Sequence, residues 1–256
     1  MRIARLDTPE GPRHAVWTGE AWKVVADCFA DPLVSTGVSI APDDAHLLAP
    51  CEPRVLIGIA HNKANNDHVL PIQAWHKSVR SVVSAGEVIR ARRDVGTVNI
   101  EGELAVVIGR DTEGITVDTV FDYLLGYTVV NDVTNVDRNT VDEKNFEGKG
   151  GHGYTPIGPW IETELNNPEQ VVITVTVNGT VKAASGTFNL PSTVAESITY
   201  VARWVPLGPG DVIMSGSPNT FVAATAGDEV EITLPGIGSL TNRVVTDNFG
   251  RDKEKP

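Results

Sequence analysis

The sequence lacks a run of about 18 apolar residues, the length that a helix needs to cross a bilayer. Its N-terminus also lacks the apolar stretch and small-residue cleavage site of a secretory signal peptide. Both absences argue against a membrane-spanning or exported protein. We therefore expect the chain to lie in the cytoplasm.

Cysteine is scarce, since Cys28 and Cys51 are the only two in 256 residues. Neither has the close Cys or His neighbours of a zinc site, and two cysteines do not make a disulfide framework. A chain of this length buries enough apolar surface to fold without covalent cross-links. We expect two reduced cysteines in the core.

Positive charge is in short supply, because 21 Lys and Arg face 33 Asp and Glu and the formal net charge is -12. Acidic proteins bind phosphate backbones and anionic bilayers poorly. The densest basic run, at residues 90–93, is followed at once by Asp94 and predicts a solvated turn. We expect neither nucleic acid nor a membrane as a partner.

Short β-branched runs dominate the chain from Arg54 onward and predict strands at 55–59, 104–108, 127–130, 171–177 and 229–233. Asn178-Gly179 directly follows the fourth run and is typical of a hairpin turn. Helical patterns are confined to 117–125, with Thr116 as a candidate cap, and 191–205, with Ser192 at the start. The fold class is therefore α+β, predominantly β.

The first fifty residues predict a separate small unit. Apolar and polar residues alternate at 1–6 and 15–25, as in half-buried strands, whereas 26–50 suits loops with one short helix. Pro50 and Pro53 mark the boundary. We expect a small N-terminal domain at 1–53 and a larger domain at 54–256.

Three acidic residues carry the strongest chemical signal. Glu101 and Glu103 are two apart in a predicted strand, so they project from the same face. Two carboxylates there are costly unless a cation or a pair of lysines joins them. Asp132 follows the apolar run at 127–130. Three carboxylates without a Cys cluster or paired His suit Mg²⁺ or Mn²⁺, with Ca²⁺ as a further alternative, rather than zinc.

Two segments downstream supply candidate ligand contacts. Lys149 is expected on a loop whose glycines allow close approach to a ligand. Ser215, Gly216 and Ser217 follow an apolar run, and such a turn can offer hydroxyl and N–H groups to a carboxylate.

These pieces, in this order, resemble the fumarylacetoacetate hydrolase family over about residues 54–247. The resemblance rests on 101–109 (EGELAVVIG), 126–132 (GYTVVND), Lys149 with 156–160 (PIGPW), 177–179 (VNG) and 209–218 (PGDVIMSGSP). It implies a mixed β-sandwich-like roll, usually dimeric, with a small N-terminal domain. It also implies metal ligands at Glu101, Glu103 and Asp132, with Lys149 and Lys77 as active-site lysines.

The sequence departs from the family in two places. Where the family has Asn-Tyr-x-x-His-x-x-Glu, the His and Glu positions fall on Lys63 and Asn66, which leaves His61 as the candidate base. His68 is the alternative base, and otherwise a substrate contact. Val136 and Asn139 replace an arginine and a glutamine. Either the far end of the substrate is not a carboxylate, or another residue holds it.

Three functions follow as alternatives. The leading expectation is metal-dependent hydrolysis of a C–C bond in a small acylpyruvate-like or β-diketo acid, through an enolate and a water activated by His61. Without a good base, the same enolate supports decarboxylation or isomerisation of a 2-oxo acid, or hydration of a 2-oxo-alkenoate. The third alternative is a non-catalytic protein that keeps its affinity for metal and 2-oxo acid.

Overall fold

A computed structural model describes residues 1–63, 70–92, 97–138 and 141–247. Within these residues no helix is long and apolar enough to cross a membrane. Strands make up most of the regular structure: β1 Arg2–Asp7, β2 Arg13–Trp17, β3 Trp22–Val25, β4 Ser35–Ile40, β5 His46–Leu48, β6 Leu56–Ala60, β7 Gln73–His76, β8 Val82–Val83, β9 Val88–Arg92, β10 Val98–Ile108, β11 Leu124–Asn131, β12 Thr134–Asn135, β13 Thr155–Glu162, β14 Val172–Val177, β15 Thr180–Gly186, β16 Val212–Met214, β17 Phe221–Ala224, β18 Glu229–Leu234 and β19 Gly238–Asp247. The α-helices of the described chain are α1 Phe146–Lys149 and α2 Val194–Trp204.

The strands form two mixed sheets. The larger sheet has the order β4-β3-β2-β1-β13-β11-β10-β16-β6-β7, with β5, β8, β12 and β17 paired to members of this path. The smaller sheet has the order β15-β14-β18-β19-β9. The expected α+β fold, predominantly β and made of mixed sheets, is confirmed.

Most local predictions match the observed elements. The five predicted runs form β6, β10, β11, β14 and β18, and the turn at Asn178-Gly179 joins β14 to β15. Both turn residues have positive φ, 49° and 74°, as a tight hairpin requires. The β-branched runs therefore predicted these strands correctly, although β10 begins six residues before its predicted run.

Other local predictions are wrong. The helix expected at 117–125 is only a 3₁₀ turn at Val120–Tyr123, because β11 begins at Leu124 and pairs with β10. The loops expected at 26–50 include two strands, β4 and β5, which pair with β3 and β1. Arg90 to Arg92, expected in a turn, end strand β9 beside β19. In each case pairing with a distant strand overrides the local pattern.

The two faces of β10 belong to different cores. Leu104 and Val106 pack in a core shared with residues of the smaller sheet, whereas Ala105 and Val107 belong to a second core. Cys28 and Cys51 lie in that second core, both buried and free of a disulfide, as expected. The N-terminal residues thus help to cover one face of the larger sheet. The proposed boundary after Pro53 stays a prediction.

Candidate active site

Strands β10 and β11 bring the three predicted acids together. Glu101 and Glu103 lie on the same face of β10 as Ala105, and Asp132 directly follows β11. The strands are antiparallel, with Gly102 opposite Asn131, and the Asp132 N–H donates to the Glu101 carbonyl at 3.0 Å. All three carboxylates are buried, and their candidate ligand oxygens lie within 4.8 Å of one another. We call these three residues the acidic triad.

Two buried lysines neutralise part of this charge. Lys149 Nζ lies 2.9 Å from Glu101 Oε2 and 2.5 Å from Asp132 Oδ2. Lys77 Nζ lies 2.5 Å from Asp132 Oδ1 and donates to the Tyr154 carbonyl at 2.7 Å. Lys149, expected on a loop, ends the one-turn helix α1 instead. The structure therefore brings both predicted lysines to the acidic triad.

A third lysine, Lys63, completes the set and was not predicted as a site residue. Its Nζ lies 2.5 Å from Glu101 Oε1, which also accepts a hydrogen bond from Thr134 Oγ1 at 2.8 Å. Its side chain remains 29% exposed, so it approaches from the solvent side. The sequence signal was present, since Lys63 stands where the family motif has histidine.

The candidate base His61 is exposed, with φ at 56°. The next residue, Asn62, is buried, and its side-chain amide donates to the carbonyls of Ser192 and Ser215 at 3.1 and 2.7 Å. The chain therefore presents Lys63, rather than His61, to the acidic triad. His68, the alternative base, and Asn139 lie outside the described residues.

The three carboxylates differ in their electrostatic environment. Burial raises the pKa of Asp132, but Lys149 and Lys77 outweigh it and hold the pKa well below its usual range. For Glu101, Lys149 and Lys63 likewise outweigh burial and lower the pKa. Burial and the neighbouring charges of Asp132 and Glu101 instead raise the pKa of Glu103 to about 8. Glu103 is the least compensated member of the acidic triad.

The turn after β16 gives its three residues different tasks. Ser215 Oγ is already engaged, because it donates to the Leu104 carbonyl at 2.8 Å. The Gly216 N–H donates to Glu103 Oε2 at 2.7 Å. Gly216 has φ at 107°, and a Cβ there would lie 2.8 Å from Asn62 Cβ, so glycine is required. Ser217 Oγ is buried and has no partner among the described residues. Among the predicted substrate contacts, Ser217 therefore has a hydroxyl that is available to bind a ligand.

The acidic triad fits a hard divalent cation. Its donors are all carboxylate oxygens, the ligands that Mg²⁺, Mn²⁺ and Ca²⁺ prefer. Within the described chain, Glu103 accepts one hydrogen bond, from Gly216, and has two like charges beside it. A cation bound there would be a positively charged partner for the Glu103 carboxylate.

A cavity of about 770 Å³ borders the two buried lysines. Its lining includes Lys77 and Lys149 but none of the acidic triad. Arg138 also lines it, two positions after the site of the arginine that the family motif leads one to expect, with its Nε 3.4 Å from Glu147 Oε2. Arg80 and Arg92 add further positive charge to the wall.

Comparison with known proteins gives matches over nearly the whole chain. Residues 54–245 match the model of the fumarylacetoacetate (FAA) hydrolase C-terminal family, and residues 1–50 match the Rv2993c-like N-terminal family. Protein Rv2993c of Mycobacterium tuberculosis is 32% identical over 96% of this chain and 98% of its own length.

Solved structures show the same architecture. 5-Carboxymethyl-2-hydroxymuconate delta-isomerase from Mycobacterium smegmatis superposes with a TM-score of 0.90 at 33% identity, covering 96% of this chain and 100% of the other. Maleylpyruvate hydrolase from Sphingobium sp. SYK-6, in complex with manganese(II) and pyruvate, has a TM-score of 0.79 at 22% identity, covering 96% and 99%. The second match, at its lower identity, indicates a shared fold.

Proposed function

Because the chain belongs to the fumarylacetoacetate hydrolase family, we propose that it is a divalent-metal-dependent enzyme that acts on a small 2-oxo acid through its enolate. The observation that carries this proposal is the buried acidic triad with lysine ammonium groups against it. Glu101, Glu103 and Asp132 would hold Mg²⁺ or Mn²⁺, and Ca²⁺ is a third candidate. A bound cation of this kind supplies Lewis-acid stabilisation of enolate charge.

The protein's own residues have separate roles in this proposal. Lys149 and Lys77 fix the orientation of Asp132 and Glu101 through the contacts described above, and their charges favour a carboxylate ligand. Ser217 Oγ has a hydrogen bond to donate, and we assign it to an oxygen of the substrate. Lys63 enters from the solvent side, where its ammonium stabilises negative charge on the bound acid.

Isomerisation or decarboxylation of the 2-oxo acid is the reaction that the geometry favours. Both reactions pass through an enolate and need no activated water. The group that the described chain presents to the acidic triad from the solvent side is the ammonium of Lys63, and His61 is exposed. An ammonium favours enolate charge but does not remove a proton from water.

Hydrolysis of a C–C bond in an acylpyruvate-like or β-diketo acid is the second candidate. It shares the enolate with the first reaction, and membership of a family named for a hydrolase favours it. Its base would have to be His61, whose exposed side chain would have to turn toward the acidic triad, or His68, which lies outside the described residues.

We also propose that the enzyme is a cytoplasmic homodimer with a small carboxylate as its substrate.

The test is a substrate panel in Mg²⁺ or Mn²⁺, with and without EDTA. Oxaloacetate reports decarboxylation, acetylpyruvate and fumarylpyruvate report hydrolysis, and proton NMR of each mixture reports isomerisation. We expect turnover that EDTA abolishes and that consumes oxaloacetate or shifts a double bond. Hydrolysis products alone would reverse the order of the two candidates. Oxalate binding without any turnover would show a non-catalytic binding protein.

A further inference from the structure

Trp75 lies beside the acidic triad, two positions before Lys77 in the chain. Strand β7 carries Trp75, and the ring centroid lies 5.1 Å from Lys149 Nζ. This distance is within the range of a cation–π contact. The same ammonium bonds to Glu101 and Asp132. The indole ring is therefore part of the wall of the candidate active site.

A glycine of the neighbouring strand leaves the space that the indole ring occupies. A Cβ at Gly58 in β6 would lie 2.7 Å from Trp75 Cε2, the ring carbon bonded to Nε1. Any larger residue at position 58 would therefore displace the ring. Gly58 pairs with Met214 in β16, the strand that leads into the turn of Ser215 to Ser217. The Trp75 ring therefore packs on β6, the strand beside the one that leads to the Gly216–Glu103 contact.

The Trp75 Nε1 atom is buried and has no acceptor within residues 1–63, 70–92, 97–138 and 141–247. Buried N–H groups are nearly always paired, because leaving one unpaired costs folding free energy. The indole N–H is a donor only. Next to an ammonium and a candidate cation site, the acceptor that fits is an oxygen of an anion.

We propose that the Trp75 indole N–H donates a hydrogen bond to an oxygen of the carboxylate ligand bound at the acidic triad. Trp75 is then a specificity-determining residue, because it favours acids that place an acceptor oxygen at this position. The ligand class, a 2-oxo acid or its dicarboxylate mimic oxalate, rests on the proposed function. The role of the indole N–H as a hydrogen-bond donor is independent of the reaction that the protein catalyses.

The test uses the full chain labelled with ¹⁵N and saturated with Mg²⁺, to which oxalate is added. The five tryptophans give five indole N–H signals, and Trp75→Phe identifies the one from Trp75. We expect oxalate to move that signal downfield as the new hydrogen bond forms. Calorimetry should show that Trp75→Phe binds oxalate about 10- to 100-fold more weakly, the loss expected for a hydrogen bond to a charged group.

Trp160→Phe is the matched control. Its indole Nε1 is also buried and unpartnered in the described structure, but its ring packs against Trp22 in the N-terminal core. We expect oxalate affinity within about twofold of the unmodified protein. Gly58→Ala is a second variant, which displaces the Trp75 ring without deleting it, and it should weaken oxalate binding as Trp75→Phe does. It keeps the test decisive if Trp75→Phe fails to fold.

The proposal is overturned if saturating oxalate leaves the Trp75 signal in place, if oxalate does not bind, or if folded Trp75→Phe keeps full affinity. The proposed function is tested separately by turnover. A protein without turnover whose Trp75 signal moves with oxalate supports the role of Trp75 and contradicts the enzyme. An active enzyme with unchanged affinity in Trp75→Phe contradicts the role of Trp75 alone.

Discussion

At the scale of single residues, Glu103 couples metal binding to pH. Burial and two neighbouring carboxylates raise its pKa to about 8, so the metal-free site holds a proton at pH 7. Cation binding must release that proton. We expect the apparent Mn²⁺ affinity to rise about tenfold per pH unit between roughly pH 6 and 7.5. Calorimetry in two buffers of different ionisation enthalpy measures the released proton. An Mn²⁺ affinity that does not change with pH would contradict the raised pKa of Glu103.

The variant Glu103→Ala should lose metal binding and keep its fold.

Lys63 and His61 form a second test at this scale. The Lys63 ammonium contacts Glu101, whereas His61 is exposed. We expect Lys63→Met to lower kcat about 10- to 100-fold, as loss of one charge-stabilising group does. His61→Ala should change kcat by less than about twofold, as expected for a surface position. Mn²⁺ affinity of both variants is the control for the site. The opposite pattern would restore His61 as the base and favour hydrolysis.

At the scale of elements, helix α2 shows how a prediction can find a helix and miss its cap. The sequence suggested Ser192, but Thr193 is the cap, and it forms a capping box with Glu196. Thr193→Ala should lower the free energy of unfolding by about 1 kcal/mol. Ser192→Ala should change it little, because the contacts of Ser192 with Asn62 use only its backbone atoms. Urea unfolding of the two variants measures the difference, and equal losses would contradict the capping assignment.

The strands that carry the acidic triad were predictable because their signal is local. The run at 104–108 begins directly after Glu103, and the run at 127–130 ends shortly before Asp132. Alternation within β10 places Glu101 and Glu103 on one face. The approach of Lys63 was not predictable. It depends on the Asn62 amide, which bonds to Ser192 and Ser215, 130 and 153 positions away. The place of the Trp75 ring likewise depends on Gly58 in β6, which leaves the space that the ring occupies.

At the scale of the whole molecule, the acidic triad should tie the stability of the metal-free protein to pH. Burial and the neighbouring carboxylates raise the pKa of Glu103 in the folded state to about 8, from 4.5 for an unperturbed glutamate, so the folded state binds the proton more tightly. Its contribution to stability is full below about pH 4.5 and is lost as pH rises toward 8. We expect the Tm of metal-free Glu103→Gln to lack this decline, which the unmodified protein should show between about pH 5 and 8. Parallel Tm profiles would contradict the raised pKa.

The pairing of β1 with β13 has a consequence for how the chain can be shortened. Ile3 lies opposite Ile161, and Val25, Cys28 and Cys51 share a core with Val107 and Ile157. Removing residues 1–53 would unpair the end of β13 at Ile161 and Glu162 and expose the apolar surface beside it, a template for association with other chains. We expect the fragment 54–256 to aggregate at micromolar concentration in light scattering, while the full chain stays dispersed. The N-terminal strands would then act as a built-in edge protector, a role independent of any chemistry at the acidic triad.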